Sequence, residues 1–240
     1  MVGTKEHLDA NLGGEYECQV NVDVENANQP GCALAWRSML EVEAVSVVPC
    51  RMQLLKSKHG DFVNVYANPG TKGEAARRVL FGQDLVSLVA ARPGLAMVGD
   101  WNCITRKEDE EFSHKYSRKI SPELQQLVRD GEYEDLFVKF NPGKQYFSWR
   151  RRGVNKSRLD RVYYPRTRMD EVTSFEYIVH CSDHDAVVWH TKEELTRDRQ
   201  AKAKSYWKAG TEWKLPCSCM DPSSPPAPWL QPLPTQTRPY

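Results

Sequence analysis

The alternation of apolar and polar positions divides the chain into short strands and two amphipathic helices. "DFVNVYANPG" (61–70) is rich in β-formers and is stopped by Asn68, Pro69 and Gly70. In residues 74–94, Phe81, Leu85 and Leu88 recur at helical spacing and Val89 widens the stripe. That spacing predicts one apolar helix face, ended by Pro93 and Gly94. "LAMVGD" (95–100) predicts a short buried strand that ends on an acid. Residues 121–131 carry a full helix signature: Ser121 as N-cap, Pro122 at the first position, apolar Leu124, Leu127 and Val128, and Gly131 as stop. From Gln145 onward the pattern turns to β in "QYFSW", "LDRVYY", "FEYIV" and "AVVWH", with Phe175, Tyr177 and Val179 alternating. Strands and helices mixed in this way predict an α/β sandwich, sheet against sheet with helices outside. Residues 192–208 are charged and helix-prone. After Leu215 the composition shifts to proline, which predicts a disordered tail.

Composition narrows the partners. The 240 residues are 40% hydrophobic, enough for one sizeable domain with tails. With 33 basic and 32 acidic side chains the net charge is +1, so any basic surface must be local. One candidate runs from Arg150 to Arg168, where eight Lys or Arg face a single acid, Asp160. Its "RRRGVNK" reads as a hairpin tip, and a solvated loop is the ordinary meaning of such a run. The seven cysteines form no C-x-x-C pair, which argues against a zinc ribbon or a disulfide framework and for reduced thiols. His180, His184 and His190 with Cys181 fit no common zinc spacing. "MVGTKEHLDA" lacks the apolar core of a signal peptide, and no apolar run reaches membrane-spanning length. An intracellular protein, nuclear or cytoplasmic and without a membrane partner, is expected.

The candidate chemistry lies at strand ends. Asp100 and Asn102 follow "LAMV" two apart, so both lie near the same rim. Asp160 opens the strand "LDRVYY", and Ser182, Asp183 and His184 precede "AVVWH". Taken singly, each is ordinary turn or strand-edge chemistry.

Their order is more specific. "MVGDWNC", then "YFSWRRRGVNKSRLDRVYY", then "CSDHDAV", at domain-scale separations, resembles the endonuclease/exonuclease/phosphatase superfamily, the DNase-I-like fold. The resemblance is nearest to the endonuclease domain of non-LTR (LINE-type) retrotransposon proteins. "GCALAWRS" (31–38), "FVNVYANPG" (62–70) and "SYWKAGTEW" (205–213) support it, and it covers roughly residues 5–213.

The resemblance implies a four-layer α/β fold, a two-sheet β-sandwich flanked by helices. It also implies Mg²⁺-dependent (or Mn²⁺-dependent) nicking of DNA, with no small-molecule cofactor. Asp100 would match the acid that activates water, and Asn102 the amide that holds it and the phosphate. His184 would match the imidazole on the scissile phosphate, Asp160 the acid that orients it, and Tyr66 a tyrosine that supports the phosphate. Asp183 and Glu6 would match metal carboxylates. The hairpin before "RLD" resembles one that touches DNA, which implicates Arg150, Arg151, Arg152, Lys156 and Arg158. The family's first strand and its Asn have no counterpart, so the domain at 1–191 is expected to lack its first strand. A charged helical extension (192–213) and a proline-rich tail (214–240) would follow. "YANPG" also departs from the family's "YAPN" order, so no role passes to the Asn after the tyrosine. The runner-up is an inactive, truncated remnant that at most binds nucleic acid. A phosphatase acting on lipid or small phosphoesters is a third reading, against which the LINE-like flanks argue.

Overall fold

A computed structural model describes residues 16–22, 31–111, 120–151, 155–179 and 182–192. Its first elements are two hairpins that the sequence pattern does not announce. One joins β1 (Tyr16–Asn21) to β2 (Cys32–Arg37), the other β3 (Val42–Val48) to β4 (Met52–Ser57). The run at 61–70 forms β5 (Phe62–Tyr66). The helix expected over 74–94 forms as α1 (Glu74–Val79), a π turn (Leu80–Asp84) and α2 (Leu85–Ala91), with Phe81 and Leu85 fully buried as their spacing requires. Then come β6 (Ala96–Asp100), the short β7 (Glu110–Glu111) and α3 (Pro122–Asp130). In α3 the Ser121 Oγ accepts from the Leu124 N–H at 3.3 Å, and Leu124 and Leu127 are buried. That cap contributes about 1 kcal/mol.

The remaining elements are β8 (Tyr133–Asp135), α4 (Leu136–Phe140), β9 (Trp149–Arg151), β10 (Asn155–Ser157), β11 (Asp160–Pro165), β12 (Val172–Ile178) and β13 (Ala186–Thr191). The strand expected over "QYFSW" begins only at Trp149, and the side chains of Gln145, Tyr146 and Ser148 bond to other segments.

Six strands make the main sheet, in the order β3-β4-β5-β6-β11-β8. Only β5 and β6 run parallel, and the helical crossover α1–α2 joins them, as parallel neighbours require. One face of this sheet packs Met52, Leu54, Val63, Val65 and Met97 against Phe81, Leu85 and Leu124 of the helices. The other packs Phe62, Ala96, Val98 and Val162 against Phe137, Phe175, Val187 and Trp189, under the β12–β13 ribbon and α4. The β1–β2 hairpin covers the β4–β5 end of that same face. Gln53 Nε2 donates to the Gln19 carbonyl and Asn64 Nδ2 to the Ala33 carbonyl. The expected α/β sandwich is present, with a second layer made of two separate ribbons among the described residues. None of the described helices is long and apolar enough to cross a membrane. The segment before Tyr16, the expected extension beyond Lys192 and the tail lie outside the described residues.

Candidate active site

Sheet register builds the site. Parallel pairing of β5 with β6 sets Tyr66 beside Asp100, and antiparallel pairing of β11 with β6 sets Asp160 on the other side of Asp100. Register partners share a face, so one row across three strands carries Tyr66, Asp100 and Asp160 at the sheet's rim. The close approach of β5 and β6 depends on Gly99. Its φ is +146°, and a Cβ there would lie 1.9 Å from the Val65 carbonyl oxygen.

After Asp100 the chain turns sharply. Asn102 takes the left-handed conformation (φ 47°), which Asn tolerates better than most residues. Both oxygens of Asp100 are held by this turn: Oδ1 accepts from the Asn102 N–H at 2.9 Å and Oδ2 from Asn102 Nδ2 at 2.8 Å. The same amide donates to the Ala67 carbonyl at 2.9 Å, and the Ala67 N–H donates to the Asp100 carbonyl at 2.9 Å. The loop that follows Tyr66 is therefore fastened to the Asp-x-Asn turn.

His184 reaches this row from the loop before β13. Its Nδ1 lies 2.9 Å from Asp160 Oδ2, and its backbone forms a bridge with Trp149. Burial is the largest influence on the imidazole and disfavours its charge. The Asp160 hydrogen bond and the charges of Asp160, Asp100 and Asp183 outweigh it and raise the pKa. The engagement of Nδ1 leaves proton exchange with a ligand to Nε2. Burial, and then the Asp100 charge, raise the pKa of Tyr66, so the phenol keeps its proton as a donor. The Arg51 guanidinium lies 5.1 Å from the centre of the Tyr66 ring. Arg51 is a cation at this rim that the sequence reading passed over. Asp183 stands next to His184 but outside the Asp100–Asp160 row. Its Oδ2 accepts from the Trp149 indole at 3.1 Å.

The basic stretch is divided by the fold. Its β9 strand does run beside His184. Arg158, expected to face DNA, is instead fully buried. Its Nε donates to Asp109 at 2.9 Å, and its two terminal nitrogens grip Asp135 at 2.9 and 2.6 Å. It is a structural cation, buried and neutralised by acids that lie 49 and 23 residues away in sequence. Arg161 is equally buried, on Asp109 at 3.1 Å and the Cys103 carbonyl at 2.9 Å. Arg150 is half-exposed and donates to Asp185 at 2.6 Å. Lys156 is exposed and pairs with Glu111 at 2.7 Å. Arg151 closes β9, while Arg152 and Glu6 lie outside the described residues.

Asp100, Asp160 and His184 each offer one ligand atom, all within 4.8 Å of one another, so a cation can be held there. Two carboxylates suit a hard divalent ion such as Mg²⁺, which keeps several of its own waters. No family model and no curated protein matches the chain. Among solved structures it is similar to a 3'-5' exonuclease (NExo) from Neisseria meningitidis, with a TM-score of 0.59 and 18% identity over 76% of this chain and 82% of that one. It is similar to an AP endonuclease from Archaeoglobus fulgidus at 0.56 and 14%, over 78% and 92%. It is also similar to the endonuclease domain of TRAS1, a telomere-specific non-LTR retrotransposon, at 0.53 and 11%, over 75% and 82%.

Proposed function

From the DNase-I-like fold of this chain and the acids at its rim, we propose a divalent-metal-dependent endonuclease domain of retrotransposon origin that nicks DNA by water attack on a phosphodiester. The observation that carries this reading is the meeting of Asp100, Asp160 and His184 from three separate segments. Asp160 would hold the cation, with Asp183 beside it, and Asp100 across the row would face the attacking water. A bound divalent cation offsets the negative charge that builds on the phosphate oxygens during cleavage.

The chain's own groups supply the rest. Asp100 accepts the proton of the attacking water as its oxygen bonds phosphorus and the phosphorus–oxygen bond to the departing strand end breaks, the departing oxygen taking a proton from solvent; the Asn102 amide fixes the Asp100 carboxylate. His184, held by Asp160, donates from Nε2 to a phosphate oxygen. The Tyr66 hydroxyl donates to a second phosphate oxygen. Arg51 adds positive charge beside it.

The test is nicking of supercoiled plasmid with Mg²⁺ and with chelator. Cleavage should need the metal, and Asp100→Ala or His184→Ala should slow it by about 10²–10⁴-fold. Binding of DNA without any cleavage would instead support the inactive remnant. Cleavage untouched by both substitutions would overturn this site.

A further inference from the structure

The described segment Tyr146–Arg150 is bonded to the chain on both sides of the His184–Asp160 pair. Ser148 is fully buried. Its hydroxyl oxygen accepts from the Leu159 and Asp160 N–H groups, both at 3.0 Å, which uses both of its lone pairs. Its carbonyl accepts from the Asp185 N–H at 2.7 Å. One residue thus fixes the backbone on the Asp160 side and on the His184 side. Next to it, Trp149 bridges to His184 and bonds the Asp183 carboxylate, and the Arg150 N–H donates to the Asp183 carbonyl at 2.9 Å.

A second brace closes the ring. Asp185, 5% exposed, accepts from the Tyr146 hydroxyl at 2.7 Å and from Arg150 at 2.6 Å. The Tyr146 ring stacks on Tyr177 with centroids 4.3 Å apart and planes 3° from parallel. The Tyr177 hydroxyl donates to the Asp160 carbonyl at 2.7 Å. Asp160 is therefore held at its N–H by Ser148 and at its carbonyl by Tyr177, and both holders belong to networks that also hold the His184 loop.

We propose that Ser148 is a positioning residue, which sets the distance between His184 and Asp160, with Asp185, Tyr146 and Arg150 as its second brace. This rests on the phosphodiester-cleavage reading of that pair. No group of Ser148 touches the reacting atoms. Its removal acts through two N–H groups, one buried and one part-buried, that lose their acceptor and pull the start of β11 away from the His184 loop.

The experiment compares Ser148→Ala, Ser148→Thr and, as a control, the helix cap variant Ser121→Ala. Steady-state plasmid nicking is measured together with thermal midpoints. Ser148→Ala should lower kcat by about 10–100-fold, the scale for groups that orient a reactive residue, with KM for DNA unchanged. Ser148→Thr keeps the hydroxyl and should recover most of the rate. Ser121→Ala loses stability and should keep the parent kcat. Crystal structures of parent and Ser148→Ala read the same point without activity: the His184 Nδ1–Asp160 Oδ2 contact should lengthen beyond hydrogen-bonding distance. Parent-like kcat or an unaltered contact in Ser148→Ala would overturn the proposal. Should that variant not fold, Asp185→Ala replaces it under the same two criteria. A parent that never nicks removes the cleavage reading, and the crystallographic distance still decides the positioning role.

Discussion

Asp109→Ala removes the carboxylate on which the buried arginines converge. Asp109 is fully buried and accepts from the Thr105 N–H and hydroxyl, the Arg106 N–H and side chain, Arg158 and Arg161, at 2.9 to 3.2 Å. Without it Arg158 keeps Asp135, while Arg161, fully buried, keeps the neutral Cys103 carbonyl and no carboxylate among the described residues. An unpaired buried charge of this kind costs about 3–5 kcal/mol. The domain as a whole has only about 5–15 kcal/mol to lose. With a urea slope of about 2 kcal/mol per molar, the midpoint should fall by about 1.5–2.5 M. Urea titration followed by circular dichroism measures it directly. The exposed pair Lys56–Glu43, at 2.8 Å, is the comparison, and Lys56→Ala should move the midpoint by less than about 0.5 M. An Asp109→Ala shift as small as that of Lys56→Ala would refute the account, since the network would then contribute no more than a solvated pair.

Two further outcomes follow from the same geometry. Burial, the largest influence on Asp109, would raise its carboxyl, but Arg161, Arg158 and Arg106 together hold it well below the usual carboxylate range. Its folded value is depressed, so its stabilisation is complete above the unfolded value of about 3.9 and is lost as pH falls below that. The stability gap between parent and Asp109→Asn should stay level above about pH 4 and shrink below it, and a gap independent of pH in acid would contradict this. Gly99→Ala should lower stability by more than about 1 kcal/mol, because both its φ and the nearby Val65 carbonyl exclude a Cβ. An unchanged thermal midpoint would show that β6 shifts without cost.

Much of the rim was legible because its residues sit where apolar runs stop. Asp100, Asp160 and His184 each flank a run of strand formers, and helix α3 announced its cap and its buried face. Register was not legible. Asp100 faces Asp160 across a separation of sixty residues, and local periodicity carries nothing about which strands pair. The first two hairpins escaped because β3 shows mostly exposed or half-buried residues, without clean alternation, and β1 and β2 interleave small and polar residues. Arg158 was misread for a related reason. A run of arginines looks solvated until the distant acids that bury it, Asp109 and Asp135, are placed beside it. Ser148 and Asp185 lay inside stretches already singled out, "YFSW" and "SDHD", but nothing local marks a serine as a brace.

The strand order has a consequence for how the molecule is made. β11 inserts between β6 and β8, both of which precede it in the chain. As synthesis proceeds from the N-terminus, β3 to β6 can pair in sequence order, which leaves β6 as an open edge with Asp100 at its end. That edge stays unpaired until residues 160–165 emerge, and an unpaired edge is a template for other chains. Asp160 arrives with the strand that seals it, and His184 some twenty residues later. A nascent chain therefore carries half of its rim before it can use it, and the site is completed only after the sheet has been sealed.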